Sequence, residues 1–360
     1  MPTFLNLVEP ESLVRAFLAF PPEAFEAFIS PDGVPAFTTR FDLLTTLDNA
    51  VRRRIMGLPL YRYWCHLLRA RTLFIGTTVS EYVLFPKQHA PVQFVRTLMD
   101  QYAHEYPFIV IKDVPQASPL LDATCNEYAD KITEACQSAG FTVLEGQALA
   151  YVPIDFESIE AYIARLSSGR RRDIRRKLRS REIVAIEAVR CGSEYFQYPT
   201  VLEQYYALYL NVFHQSEVHF DLLRVELFQQ FLRDASNGGI VFEYRYCGKL
   251  VGYNVCFASA NMLIDKYVGF CYPDARNLNL YFISWFHNLA YALENGLSYY
   301  VAGWTDPEIK AYLGAQFTVT RHAVYARNRV PRFFLRRLAH LFESDRIALE
   351  SQPNDHSHRP

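Results

Sequence analysis

Between Arg71 and Ile154 the chain switches repeatedly between two hydrophobic periods, and that alternation restricts its architecture more than any other feature. Arg71–Phe85 is dense in Thr, Val, Ile and aromatic residues and stops at Pro86, which predicts one or two strands. Pro91–Glu105 has helical apolar spacing, and Phe108–Ile111 is a near-continuous apolar strand. Asp122–Ser138 is helical again and closes at Gly140, a residue suited to a helix C-cap; Phe141–Ile154 returns to strand. Strand, helix, strand, helix, strand predicts a sheet covered by helices, an α/β layer architecture.

The second half repeats the theme with a different opening. Glu157–Leu166 is a short helix, Val184–Val189 a strand, and Val201–Gln215 and Leu222–Ala235 are amphipathic helices. Ile240–Tyr246, Leu250–Ala258 and Met262–Phe270 then follow as three strands whose three-residue connections suit hairpins. Leu280–Glu294 is a helix ended by Asn295-Gly296, and Ser298–Ala302 a strand. Asp306-Pro307 opens a short helix as N-cap and first residue, Gly314 closes it, and Phe317–Tyr325 alternates like a half-buried strand. Val330–Phe342 is a basic amphipathic helix, and the Ser-, Pro- and His-rich end is expected to be a disordered tail. The first 70 residues read as helix and loop, with helical spacing over Glu11–Phe20 and Asp42–Ile55. The 360 residues suffice for two domains, expected at 1–155 and 156–345 with a tail at 346–360.

Charge is concentrated in one place. From Arg165 to Arg181 there are nine basic residues and one acid, Asp173, while 28 basic and 37 acidic residues remain elsewhere. Ser167 or Ser168 is a suitable N-cap, and a helix through 167–182 would carry Ile174 and Leu178 as a thin apolar stripe. Like charges at i, i+4 repel by a few tenths of a kcal/mol per pair, so such a helix needs an anion to repay it. Substrate phosphates, a nucleic-acid backbone, an anionic membrane surface or acids of the same chain would each serve.

Other chemistries are poorly supported. Seven scattered cysteines contain no Cys-x-x-Cys pair, which fits free thiols in a reducing compartment, and no zinc spacing occurs. His214 and His219 flank Glu217 but lack His-Glu-x-x-His spacing, so no metal is expected. G-x-S-x-G and P-loop motifs are both missing. The N-terminus has no secretory pattern and no run nears the ~20 apolar residues of a membrane span, so a cytoplasmic location is expected. Asp265 and Lys266 are adjacent charges in an apolar strand, and period-2 counting puts Asp265 on one face with Leu263, Tyr267 and Gly269. A carboxylate there either finds a partner or titrates high and serves as a base, and Tyr267 is a candidate proton donor to a leaving group.

Four stretches resemble known families. The layout of Val268–Gly303, strand, loop, helix, Glu-Asn-Gly, strand, resembles motif A of the GNAT N-acyltransferases, with Arg276-Asn277-Leu278-Asn279-Leu280 where that family usually has a Gly-rich loop. Ser-Ser-Gly-Arg-Arg-Arg-Asp-Ile-Arg-Arg-Lys-Leu-Arg resembles the S-x-x-x-R-R-x-[LI]-R-R segment of Fem-type peptidoglycan aminoacyltransferases and related FemAB-like proteins. Ala302-Gly303-Trp304 with Lys310-Ala311-Tyr312-Leu313-Gly314-Ala315 resembles their G-x(6)-K-x-x-x-G-A element. Cys136–Phe141, a strand and an acid before the next helix resemble the end of their first domain.

The resemblance covers roughly residues 100–326 and implies two tandem GNAT-like domains with mixed, mostly antiparallel sheets flanked by helices. It implies transfer of an acyl or aminoacyl group from acyl-CoA or aminoacyl-tRNA, as co-substrate rather than tightly bound cofactor, to an amine acceptor such as a cell-envelope precursor. Arg171, Arg172, Arg175 and Arg176 would then hold donor or acceptor phosphates, with Arg276, Asn277, Asn279 and the backbone of Gly303 at the donor cleft; Lys310 would be a second anion contact or would stabilise negative charge at the reacting carbonyl, beside the candidates Asp265 and Tyr267. Contact of 330–342 with the inner face of a membrane, and tRNA as partner, belong to the same expectation. The rival class is a non-catalytic nucleic-acid- or anion-binding protein gripping its partner through 167–182, whose affinity would fall steeply with salt.

Overall fold

The computed structural model describes residues 4–42, 53, 56, 57, 59, 61–64, 69–216 and 220–337. Cys65, Glu217, His219, the end of the last helix, the tail and most of the helix expected at Asp42–Ile55 lie outside them. In chain order the elements are α1 (Glu11–Ala19), β1 (Glu26–Ile29), β2 (Pro35–Asp42), α2 (Tyr61–Trp64), β3 (Arg69–Ile75), α3 (Pro91–Tyr102), β4 (Phe108–Pro115), α4 (Ala123–Ser138), β5 (Thr142–Pro153), α5 (Ile159–Ala164), α6 (Ser168–Leu178) and β6 (Ala185–Arg190). There follow α7 (Pro199–Gln215), α8 (Val225–Arg233), β7 (Gly239–Tyr246), β8 (Lys249–Ser259), β9 (Met262–Phe270), α9 (Asp274–Asn277), α10 (Leu280–Glu294), β10 (Tyr299–Gly303), α11 (Pro307–Tyr312), β11 (Gln316–Ala326) and α12 (Arg329–Arg337). The α/β class, a mixed and mostly antiparallel sheet flanked by helices, is as expected.

The chain divides into two compact units. The first holds the described parts of Met1–Leu7, Phe17–Ala148 and Thr318–Ser351; the second holds those of Val8–Ala16 and Leu149–Phe317. In the first, the strand order is β1-β2-β3-β4-β11-β5, with β3 and β4 parallel and β4 antiparallel to β11. One expectation fails here. Residues 26–42, read as loop, form the β1–β2 hairpin, with Ser30 N–H donating to Val34 C=O at 2.8 Å and Gly33 at φ 76°. Pro31-Asp32-Gly33 forms the turn of this hairpin. Helix α4 is capped as its sequence implies, Asp122 Oδ1 accepting from Cys125 N–H at 2.7 Å.

In the second unit the order is β5-β10-β9-β8-β7-β6, antiparallel throughout except for the parallel β9–β10 pair. Helix α10 lays Phe282, Ile283, Trp285, Phe286 and Leu289 against Phe242, Tyr244, Leu263, Phe270 and Tyr300 of the strands, a single apolar cluster. Aromatic stacking fills the opposite face, where Tyr205 of α7 lies 4.5 Å from Tyr253 of β8 between ring centres. Among the described residues, no helix is long and apolar enough to cross a membrane.

Candidate active site at the β9–β10 divergence

The parallel pair β9–β10 stops short. Tyr299, Tyr300 and Val301 pair with Met262, Leu263 and Ile264, and then the two strands part. Past that point β10 shifts register against β5 between Val301 and Gly303. Strand β9 shifts against β8, with Cys256 opposite Asp265 and Val255 opposite Tyr267, so Lys266 is an extra, bulged residue. A bulge bends its strand and re-aims the side chains after it. The gap between the strands opens at Asp265.

Asp265 is caged by donors from three elements. Asn254 Nδ2 on β8 donates to Oδ1 at 3.0 Å and Oδ2 at 2.8 Å, Asn288 Nδ2 on α10 to Oδ2 at 3.0 Å, and the Tyr300 hydroxyl on β10 to Oδ2 at 3.0 Å. Burial pushes this carboxyl up to about 6, against the hydrogen bonds from Asn254 and Tyr300 and the charge of Lys310, which pull it down. Asp265 is half-buried as a residue, while its carboxyl is enclosed by these donors.

Lys310 on α11 is 4% exposed. A Cβ built on Gly303 would lie 3.9 Å from Lys310 Nζ and 3.8 Å from the Asp265 carbonyl oxygen, so the ammonium sits beside the strand gap. Gly303 also takes φ 81°, a conformation that a side chain would strain. Gly314, which ends α11, has φ 98°, and a Cβ there would meet the Tyr162 hydroxyl at 2.7 Å. That hydroxyl donates to Leu313 C=O at 2.7 Å, so α5 fixes the end of the helix that carries the lysine.

The structure brings Asp265 and Lys310 together but not Tyr267. Its ring stacks on Phe231 of α8 at 5.4 Å, and Gly269 lies under the ring of Tyr253, both on the α7–α8 side of the sheet. Leu263, Val268 and Phe270 keep to the α10 side with Asp265. The bulged Lys266 reverses the alternation, so counting by twos put Tyr267 on the wrong face. The phenol at the carboxylate is Tyr300. Tyr300, Asn254 and Asn288 were missed from the sequence, although two amides in otherwise apolar core runs were a usable signal.

Helix α6 is the basic segment, with Ser167 at the N-cap position but no side-chain cap bond. Its arginines are not one cluster. Arg171 Nη1 bonds the carbonyls of Ala164 and Leu166 at 3.2 and 3.1 Å, Arg175 pairs with Glu160 at 3.1 Å, and Arg176 pairs with Asp173 at 2.6 Å. Arg172 is exposed and has no ion pair among the described residues. Surface pairs such as Arg175–Glu160 are worth about 0–1 kcal/mol and yield readily to a better anion. Lys177 Nζ lies 3.9 Å from the ring centre of Phe282 in the first turn of α10, so the basic helix flanks that helix's N-terminal end.

Before α10 the chain makes one turn, α9, anchored by the buried side chains of Ala275, Leu278 and Leu280. Arg276 is exposed, donates to Gln215 Oε1 at 2.7 Å and lies over the Tyr272 ring at 5.1 Å. Asn277 is exposed, and Asn279 holds the N-cap position at φ 54° without capping through its side chain. Asp306 likewise occupies the N-cap position of α11, at φ 55°, without a side-chain cap bond.

Three solved structures share this fold at low sequence identity. The C-terminal domain of a putative lysylphosphatidylglycerol synthetase from Agrobacterium fabrum is 14% identical, covers 94% of this chain and 90% of its own, and gives a TM-score of 0.51. L-PGS from Bacillus licheniformis is 13% identical, with 92% and 97% covered and a TM-score of 0.51. FemX is 11% identical, with 90% and 97% covered and a TM-score of 0.50. No curated protein matches the chain in sequence. A family model described as peptidoglycan biosynthesis/recognition matches residues 89–332, which takes in the basic helix, the Asp265 strand and the lysine of α11, and the chain belongs to that family, FemAB-like.

Proposed function

We propose that the chain is an acyl or aminoacyl transferase that works at the β9–β10 divergence, with Asp265 as the proton acceptor. The observation that carries this reading is the caged carboxylate held at about 6 by burial, with a buried lysine beside the same strand gap. Family membership supports the transferase class and an acceptor from peptidoglycan biosynthesis. The acceptor amine attacks the carbonyl carbon of the donor and forms the new N–C bond. Asp265 takes the proton that the nitrogen sheds, and Lys310 faces the negative charge on the tetrahedral oxygen. The C–O bond of an aminoacyl ester, or the C–S bond of a thioester, then breaks, and the proton passes from Asp265 to the leaving alkoxide or thiolate.

The donor is a co-substrate, aminoacyl-tRNA or acyl-CoA, and no resident cofactor enters the reaction. Its phosphates would lie along α6 and the α9–α10 turn, on Arg172, Arg176 and Arg276, with Arg171 and Arg175 as supports of the helix. The exposed arginines of α6 suit the longer polyanion, tRNA. The reaction belongs on the cytoplasmic side, at the inner face of a membrane. There α12 would be the contact, its Phe333 62% exposed and its Arg332 held to Ala326 C=O at 2.9 and 2.7 Å.

The test is a panel of aminoacyl-tRNAs and acyl-CoAs offered with an amine-bearing peptidoglycan precursor, with products read by mass spectrometry. The expected result is a mass gain of one acyl or aminoacyl group on the precursor's amine. Tight, salt-sensitive RNA binding with no transfer from any donor would overturn the reading in favour of a nucleic-acid-binding protein.

A further inference from the structure

Helix α6 carries a single acid, and that acid does more than pair with its neighbours. Asp173 Oδ1 accepts from Arg176 at 2.6 Å, and Oδ2 accepts from Lys177 at 3.0 Å and from the Tyr312 hydroxyl at 2.9 Å. Tyr312 is the last residue of α11, a helix of six residues, and Lys310 lies two positions before it. The Arg170 guanidinium sits over the Tyr312 ring at 5.5 Å, and Lys177 lies 5.9 Å from its centre. The C-terminal end of α11 is thus gripped twice: by Asp173 at the Tyr312 hydroxyl and by Tyr162 at Leu313 C=O. A one-and-a-half-turn helix has little rigidity of its own, so these grips help fix where Lys310 stands.

Resting on the reading that α6 receives donor phosphate, we propose that Asp173 is a positioning residue for Lys310, acting through Tyr312, and that phosphate on α6 is felt at the lysine. A phosphate group competes for the two cations that Asp173 holds. With Arg176 and Lys177 drawn away, the carboxylate keeps Tyr312 as its remaining donor and binds it more strongly, which pins α11 over the strand gap. The basic helix then both receives the donor and sets the lysine that meets its carbonyl.

The experiment needs no identified substrate. Inorganic pyrophosphate binding is measured by calorimetry, and the rate at which a small amine-reactive reagent labels Lys310 is followed by peptide mass spectrometry, with and without saturating pyrophosphate. In the wild-type protein, pyrophosphate should slow Lys310 labelling about threefold or more. Asp173→Asn should bind pyrophosphate at least as tightly, because two cations are released, yet its labelling should be faster at rest and indifferent to the ligand. Tyr312→Phe, which removes one oxygen and leaves the ion pairs, should keep wild-type affinity within about twofold and lose the response in the same way. Pyrophosphate that binds the wild-type protein without changing Lys310 labelling overturns the coupling alone. A full response in either variant does the same, since it would show direct shielding. Failure of the wild-type protein to bind pyrophosphate overturns the phosphate reading of α6 as well.

Discussion

An aspartate that titrates near 6 changes its state where an enzyme can use it, and Asp265 reaches that value by a balance of opposites. Burial disfavours the charge while Asn254, Asn288 and Tyr300 donate to it, so the carboxylate is costly but ordered. The base is the deprotonated form, so transfer should accelerate as pH rises through about 6 and level off above it. A pH–rate profile checks this directly. For the fold the sign is the reverse: a carboxyl raised in the native state favours folding below its unfolded value of 3.8, and that contribution is lost as pH rises toward about 6. Gly314 gives a separate prediction at this scale. Its φ of 98° and the Tyr162 hydroxyl, 2.7 Å from any added Cβ, leave no room for alanine, so Gly314→Ala should cost about 1–3 kcal/mol in thermal unfolding. Asp265 and Lys310 stood out in the sequence because charge in an apolar strand, or in a spaced motif, is visible locally. Their cage was not, since its members come from β8, α10 and β10 and meet only after folding.

Among the elements, β9 shows where local reading breaks down. One extra residue, Lys266, turns Tyr267 to the far face, and nothing in the alternation of the strand announces it. The β1–β2 hairpin was hidden for another reason: a four-residue strand beside a Pro-Asp-Gly turn offers too few residues for a period to emerge. Most longer elements were legible, α10 to the residue, but the eight-residue β2 was not. Helix α6 was legible as a helix, but its contacts with Glu160 and Tyr312 were not, because those residues come from other elements. Arg172 and Arg176 are exposed, and the Arg176–Asp173 pair is a surface one. Changing both to Ala should therefore shift unfolding by no more than about 0.5 kcal/mol. Donor binding should weaken about tenfold or more as charge-assisted phosphate contacts are lost. Calorimetry beside a melting curve separates the two effects, and loss of the fold would show the pair to be structural.

At the scale of the molecule, each unit contains a parallel strand pair that stops, β3–β4 at Ile75–Ile111 and β9–β10 at Ile264–Val301, but the two endings are furnished differently. After β3 several polar groups bond one another. Thr77 and Ser80 hydroxyls bond each other at 2.7 Å, Tyr82 and Ser118 do so at 2.7 Å, Lys112 donates to Thr77 C=O at 3.2 Å and pairs with Asp113, and Asp113 N–H donates to His322 Nδ1 at 3.0 Å. Those groups bond one another, whereas the second unit holds a carboxylate raised to about 6 beside a buried lysine. The proposed transfer therefore belongs to the second unit. The measurement that tests this most directly is single-turnover transfer by Asp265→Asn, compared with the wild-type protein across pH 5–8. Loss of a positioned base predicts a rate about 10²–10⁴-fold lower. The limb near pH 6 should vanish, and no residual fast phase from the first unit should remain. A variant that transfers at the wild-type rate, with the same dependence on pH, would contradict the claim that Asp265 takes the proton.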